Sequence, residues 1–314
     1  MSNTELDALQ PDPSTTATEI YRNAGVDVVP VADTIGAEIR GLDLRNELTP
    51  AARAAVHRAW LEHCVILVRD QRLSDADLIR FSRGFGDLDH GPPMPRAVDH
   101  DTHPEIFIVS NVLEDGQPIG FLDDRPLPWH TDMSYAEVPP KASTLHALEV
   151  PEDGSGRTGF INMYKVLDSL PAALRNRIAS LQLKHDPAHA LQGEVRHGFD
   201  AEAYEHIESA PGPVHPLVRT HPETRRRALY LGRHWNGDKR ATFVPGMSRA
   251  QSDSLLDELW QFVAEERYAW YHEWRVGDYV MWDNRCVMHR RGPFNSAMRR
   301  VMHRTQIKDT VRPM

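Results

Sequence analysis

His130, Thr131 and Asp132 place an imidazole and a carboxylate two residues apart. On an extended chain the side chains alternate with period two, so His130 and Asp132 point the same way and can reach one ion. A second histidine from far along the chain would complete a set of two imidazoles and one carboxylate. Such a set leaves three coordination positions open, as the chemistry of Fe(II) oxygenases requires. The tripeptide by itself is a weak signal, because a chain with 17 histidines supplies it by chance. Three His-x-Glu pairs compete with it: His103/Glu105, His206/Glu208 and His221/Glu223.

The C-terminal segment adds a second chemistry. Trp282-Asp283-Asn284-Arg285 runs into His289, and a turn-rich stretch then leads to Arg299-Arg300-Val301-Met302-His303-Arg304. On a strand, Arg300, Met302 and Arg304 share one face. Two guanidiniums on an apolar face repel each other and lose hydration, so they persist where anions meet them. The alternative is an edge strand with its arginines in water or paired to acidic neighbours.

From residue 36 to residue 307 the sequence resembles the taurine dioxygenase/TfdA family of Fe(II)/2-oxoglutarate dioxygenases. The pieces occur in the family's order: residues 36–44, Val68-Arg69-Asp70-Gln71, Phe85-Gly86-Asp87-Leu88, Trp129-His130-Thr131-Asp132, Gly156-Arg157-Thr158, Trp282-Asp283-Asn284-Arg285 with His289, and residues 300–304. The resemblance implies that His130, Asp132 and His289 bind Fe(II). It implies that Thr158 and Arg300 hold the distal carboxylate of 2-oxoglutarate. Arg304 would face an anionic group of the prime substrate or share the cosubstrate's carboxylate. Arg300 and Arg304 lie eleven and fifteen residues after His289, as in the family. A guanidinium suits such a task because it meets a carboxylate with two parallel hydrogen bonds.

The resemblance also implies O2 as oxidant, succinate and CO2 as products, a double-stranded β-helix (jelly-roll) core, and a homo-oligomer, dimer or tetramer. The expected reaction is hydroxylation of a small anionic substrate: a sulfonate, alkyl sulfate, aryloxyalkanoate or amino-acid-like carboxylate. A hydroxyl placed beside a heteroatom would lead to C–S or C–O cleavage. Where the family has a substrate-binding histidine after its Phe-Gly-x-Leu turn, this chain has His90, offset by about a residue, which is taken as a substrate contact. Arg157 stands where the family often has Asp. Two readings compete. A zinc-dependent hydrolase would use the same three ligands, but leaves Thr158, Arg300 and Arg304 without a task. A non-catalytic small-anion binding protein leaves the His/Asp/His set without one.

The elements that must position these residues read as mixed α/β, mainly β, with strands early, in the middle and last and helices between. Thr49-Pro50 opens a helix to about His63. Ser74 caps another with Leu78, Phe81 and Phe85 on one face. Ser248 and Gln251 form a capping box before a stripe of Leu255, Leu256, Leu259, Phe262 and Val263. Residues 165–183 read as a helix broken near Pro171. Residues 65–68, 106–110, 143–150, 228–234, 279–282 and 300–307 read as strands. Residues 1–22, polar and rich in Ser, Thr and Pro, read as a mobile tail. Residues 23–314 read as a single domain, with Pro-, Gly- and charge-rich insert or lid segments at about 114–128 and 185–216.

A chain of 314 residues, 40% of them apolar, can bury a substantial core. Its net charge of -9 argues against general affinity for nucleic acid or an anionic membrane surface. No apolar run is long enough to span a bilayer. No secretory signal pattern is visible, and two cysteines, Cys64 and Cys286, need no disulfide framework. They read as buried thiols of a cytoplasmic protein.

Overall fold

The computed structural model describes residues 16–90, 103–121, 125–190, 195–196, 198–199, 207–208, 211–234 and 241–314. Two sheets carry the architecture, and only their strands are numbered. These are β1 (Asp27–Pro30), β2 (Ala37–Arg40), β3 (Val65–Val68), β4 (Phe107–Ser110), β5 (Leu127–His130), β6 (Ala142–Glu149), β7 (Thr158–Asn162), β8 (Ala269–His272), β9 (Tyr279–Asp283), β10 (Val287–Arg291) and β11 (Val301–Ile307). The larger sheet runs β1-β2-β3-β9-β6-β11-β4 and the smaller β8-β7-β10-β5. Every neighbouring pair is antiparallel except β2 with β3. This is the mainly β, jelly-roll core that the family resemblance implies.

Alternation along the strands divides the apolar residues between two cores. Val65, Leu67, Leu145, Ala147, Val280, Trp282 and Met302 join Phe160 of the smaller sheet in one. Phe160 and Trp282 meet across the sheets with ring centroids 5.5 Å apart. Ile66, Val68, Tyr279, Met281, Val301 and Ile307 point the other way. They pack against α2 (Pro50–His63) and α3 (Asp75–Arg83), which follow the N-terminal helix α1 (Ala17–Asn23). Because helices cover that face, β3 and β9 are apolar on both sides and read as unbroken hydrophobic runs. Both helix starts are those the sequence predicts. Thr49 accepts from Ala52 N with proline following it, and Ser74 forms a capping box with Asp77. The helix Arg249–Ala264 opens on the Ser248/Gln251 capping box.

Three expectations need correction. The N-terminal tail does not extend to residue 22: Thr16 and Glu19 cap helix α1, and Tyr21 is buried, its phenol donating to Glu62 at 2.6 Å. The helix read over 165–183 breaks near Pro171 as expected, into Met163–Ser169 and Ala172–Ile178, but it ends at Ile178. Leu183 instead lies in a strand, Gln182–His185, paired with Val214–Pro216 and Thr242–Phe243. The run 228–234 is a strand only over Arg227–Leu229, because Gly232 takes φ +75. Phe85, expected on the face of α3, lies just beyond its end but is buried as required. Segment 114–128 contains part of a short hairpin, Leu113–Glu114 with Gln117–Pro118, and ends in β5.

Candidate active site

β5 and β10 are neighbours, with His130 directly opposite His289. Both side chains are buried, and their ring centroids are 4.1 Å apart. Asp132 follows the end of β5. Its backbone N–H donates to the Asn284 side-chain oxygen at 2.9 Å. The Asn284 amide donates to the carbonyls of Asp132 and Pro140, each at 2.9 Å. Asn284 thus fastens the loop of one ligand candidate to the turn before the strand of another.

The two oxygens of Asp132 have different tasks. Oδ2 accepts from the Ser143 hydroxyl at 2.7 Å and from the Arg304 guanidinium at 2.7 Å. Oδ1 faces Nε2 of His130 at 3.7 Å and Nε2 of His289 at 3.8 Å. His130 Nδ1 donates to the Pro128 carbonyl at 2.8 Å, so its Nε2 carries a lone pair. An imidazole lone pair and a carboxylate oxygen therefore converge in a buried space. One ligand atom from each of the three residues lies within 4.8 Å of the others. A cation is what such a donor set fits, and a 2-His-1-carboxylate set fits Fe(II). Electrostatics agree. Burial pushes the His130 and His289 imidazoles below their ordinary values, keeping them neutral. Burial alone would raise the Asp132 carboxyl, but the Arg304 guanidinium, with the hydrogen bond from Ser143, outweighs it and holds the group well below the usual carboxylate range.

On the same inner face, Thr158 opens β7 opposite Arg291 of β10, two residues beyond His289. Arg300 is 1% exposed. It donates from NH1 to the Gly156 carbonyl at 3.0 Å, and its buried Nε has no acceptor. Burial, and then the Arg291 guanidinium, push Arg300 down to about 9. No acidic side chain among the described residues pairs with it. Gly156, at φ +72, allows the close approach: a Cβ there would sit 2.9 Å from Arg300 NH1. A buried guanidinium of this kind fits a small carboxylate.

The remaining candidates separate clearly. Arg304 pairs with Asp132, whereas Arg300 reaches Gly156, and the buried Nε of Arg304 has no acceptor among the described residues. His90 is exposed, two residues past the bridge between Leu88 and Ile307. Of the rival pairs, Glu105 is taken by Arg83, and His206 lies outside the described residues. His221 belongs to a second buried cluster with Asp283, Arg285 and Cys286, and the exposed Glu223 pairs with Arg285 at its edge. Cys64 and Cys286 are both buried free thiols. No described helix is long and apolar enough to cross a membrane. Sequence reading missed Asn284, Ser143, Arg291 and Trp274. Asn284 sat in view inside Trp282-Asp283-Asn284-Arg285. Arg291 was findable as the residue one strand period beyond His289.

Comparison with known proteins places these observations. The family model for the taurine catabolism dioxygenase TauD, TfdA family matches residues 27–306. A (S)-phenoxypropionate/alpha-ketoglutarate-dioxygenase of Sphingobium herbicidovorans is 32% identical, covering 90% of this chain and 94% of its own. An alpha-ketoglutarate-dependent 2,4-dichlorophenoxyacetate dioxygenase of Cupriavidus pinatubonensis is 32% identical, covering 90% and 98%. The crystal structure of a taurine dioxygenase from Burkholderia xenovorans superposes with a TM-score of 0.73 at 28% identity, covering 92% of this chain and 93% of that one. The chain belongs to the TauD/TfdA family and is an Fe(II)- and 2-oxoglutarate-dependent dioxygenase, an oxidoreductase.

Proposed function

We propose that His130, Asp132 and His289 hold the Fe(II), that Thr158 and Arg300 hold the distal carboxylate of 2-oxoglutarate, and that the enzyme hydroxylates a small organic anion. The observation that carries this reading is the convergence of His130 Nε2, His289 Nε2 and one oxygen of Asp132, on the face that also presents Thr158 and Arg300. The iron, with 2-oxoglutarate and O2, supplies the oxidising power: one oxygen atom enters the substrate C–H bond, the other enters succinate, and CO2 leaves. The chain's own work is placement. Pro128 fixes the tautomer of His130, and Asn284 fixes the backbone of Asp132. Ser143 and Arg304 occupy Oδ2 and so direct Oδ1 toward the histidines. Thr158 and Arg300 receive the cosubstrate's charge in a buried pocket, where a charge-assisted hydrogen bond is strong.

The prime substrate is an anion of the sulfonate, alkyl sulfate, aryloxyalkanoate or amino-acid-like carboxylate kind. Relatives named for phenoxypropionate and 2,4-dichlorophenoxyacetate support this range, as does the taurine dioxygenase. Arg304 receives the substrate's anionic group through its unaccepted Nε, and His90 is proposed as a second contact. Where the hydroxyl lands beside an ether oxygen or a sulfur, the hemiacetal-like product collapses with C–O or C–S cleavage. A zinc hydrolase would leave the buried Arg300 without an anion. The test is succinate formation from 2-oxoglutarate with Fe(II), O2 and a panel of such anions. Substrate-stimulated succinate is expected. Firm binding of zinc with no succinate from any member would sink the proposal.

A further inference from the structure

We infer that Trp274 is a positioning residue for 2-oxoglutarate, acting through the hydroxyl of Thr158. The inference rests on the assignment of Thr158 and Arg300 to the cosubstrate's distal carboxylate. Trp274 Nε1 lies 2.9 Å from Thr158 Oγ1 in a buried hydrogen bond. Its direction is fixed by chemistry, because an indole N–H can only donate. The threonine oxygen is therefore the acceptor, and its own hydrogen must point elsewhere. Among the described residues that hydroxyl makes no other hydrogen bond. The hydroxyl is thus left as an oriented donor, the role that a ligand carboxylate needs and a freely rotating hydroxyl would fill only part of the time.

The same indole also lies beside Arg300. The Arg300 guanidinium carbon lies 5.9 Å from the Trp274 ring, close enough for a cation–π attraction. His272, opposite Thr158 on β8, packs edge-on against Trp274 at 4.6 Å. The turn that carries Trp274 is held firmly. Asp278 accepts from Arg275 N at 2.9 Å, and its carboxylate is met by Arg69 and His272. Gly277, at φ +86, lies so close to Gln71 that a Cβ would come within 3.1 Å of the Gln71 carbonyl oxygen. The link between β8 and β9 therefore sets where the indole N–H is aimed, and Thr158 passes that orientation on.

The experiment measures calorimetric binding of 2-oxoglutarate to the Mn(II)-loaded full chain, with thermal unfolding and Mn(II) affinity as controls. Trp274→Phe keeps an aromatic ring and removes the donor. It is expected to weaken 2-oxoglutarate by about three- to tenfold, the loss of one net hydrogen bond, with Mn(II) affinity unchanged. In a Thr158→Val background the same change should add nothing, since the hydroxyl it orients is gone. Binding of 2-oxobutyrate, which lacks the distal carboxylate, should be unaffected by Trp274→Phe. Benzothienylalanine at position 274, which keeps the two-ring shape without the N–H, should reproduce the effect if Trp274→Phe does not fold. Equal losses with and without Thr158, or equal weakening of 2-oxobutyrate, would overturn the inference and leave Trp274 as packing. If Thr158→Val itself leaves 2-oxoglutarate binding at the wild-type value, the carboxylate assignment fails first.

Discussion

Among the described residues, two buried clusters have the composition of a metal site: His130, Asp132 and His289, and, at the end of β9, His221, Asp283 and Cys286. Composition and burial do not separate them. The state of their lone pairs does. In the first, Oδ1 of Asp132 and Nε2 of His130 accept from no donor among the described residues and face one another at 3.7 Å. In the second, every strong acceptor is used. His221 Nδ1 accepts backbone N–H groups from Glu223 at 3.2 Å and Thr224 at 3.0 Å, so its Nε2 carries the hydrogen donated to Asp283 at 2.9 Å. Oδ1 of Asp283 accepts from Arg285 N and Nε, and Oδ2 accepts from Arg285 NH2. Burial pushes the Cys286 thiol up, so it stays protonated. The first cluster offers its lone pairs to a cation; the second has its cation built in, as Arg285. An unsatisfied convergence of acceptors marks a site, and a satisfied one marks a strut.

The sharpest break of this comparison exchanges the two aspartates. Asp132→Ala should lower Mn(II) or Fe(II) affinity by more than about a hundredfold, because loss of an outer partner alone costs about 10–100-fold. The fold should survive, so the unfolding midpoint stays near the wild-type value. Asp283→Ala should do the reverse. It leaves Arg285 buried without its main partner and should cost about 3–5 kcal/mol of stability. Metal affinity, measured on the folded fraction, should hold. If Asp132→Ala unfolds the chain, or Asp283→Ala releases metal from a stable protein, the distinction between site and strut is wrong.

A smaller effect sharpens the first cluster from within. Arg300→Met should weaken 2-oxoglutarate by about ten- to a hundredfold, the loss of hydrogen bonds to a charged partner, while metal affinity stays unchanged. Arg304→Met should instead weaken metal binding, because it removes the grip on Oδ2 of Asp132. Titration of each variant with Mn(II), then with 2-oxoglutarate, separates the two. Loss of both ligands in both variants would merge the arginines into one function.

How much of this was legible in the sequence follows the physics of each part. The capped helices were readable because Thr49, Ser74 and Ser248 act on residues two or three positions away. The sharing of a face by Arg300, Met302 and Arg304 was readable because strand periodicity is local. The pairing of His130 with His289 was not, since 159 residues separate them in the numbering and only the register of β5 on β10 brings them together. Family resemblance supplied it. Asn284, Ser143 and Trp274 escaped notice because each acts through hydrogen bonds onto residues distant in the chain, and a single Asn, Ser or Trp has no pattern to recognise. The failed reading of residues 179–183 as helix is instructive. Leu183 is buried in either state, and only its pairing with His215 selects the strand.

The least effect expected lies in the second cluster and depends on pH. Burial alone would raise the Glu223 carboxyl, but His57 and Arg285 bond to it and bring it down to about 2. An unfolded glutamate titrates near ~4.3. A carboxyl whose folded value is depressed stabilises the fold fully above the unfolded value, and that contribution is lost as pH falls toward the folded value. The window for Glu223 is therefore from about 4.3 down to about 2. Glu223→Gln keeps the shape and removes the charge. Its deficit in stability relative to wild type should be constant at neutral pH and narrow as the pH falls through that window, measured by urea unfolding at closely spaced pH values. The carboxyl is about a third exposed in its side chain, at 32%, so solvent screens the pair and the gap starts small. A deficit that does not change across the window would mean that Arg285 draws its compensation from Asp283 alone, and that the strut ends one residue earlier than the hydrogen bonds imply.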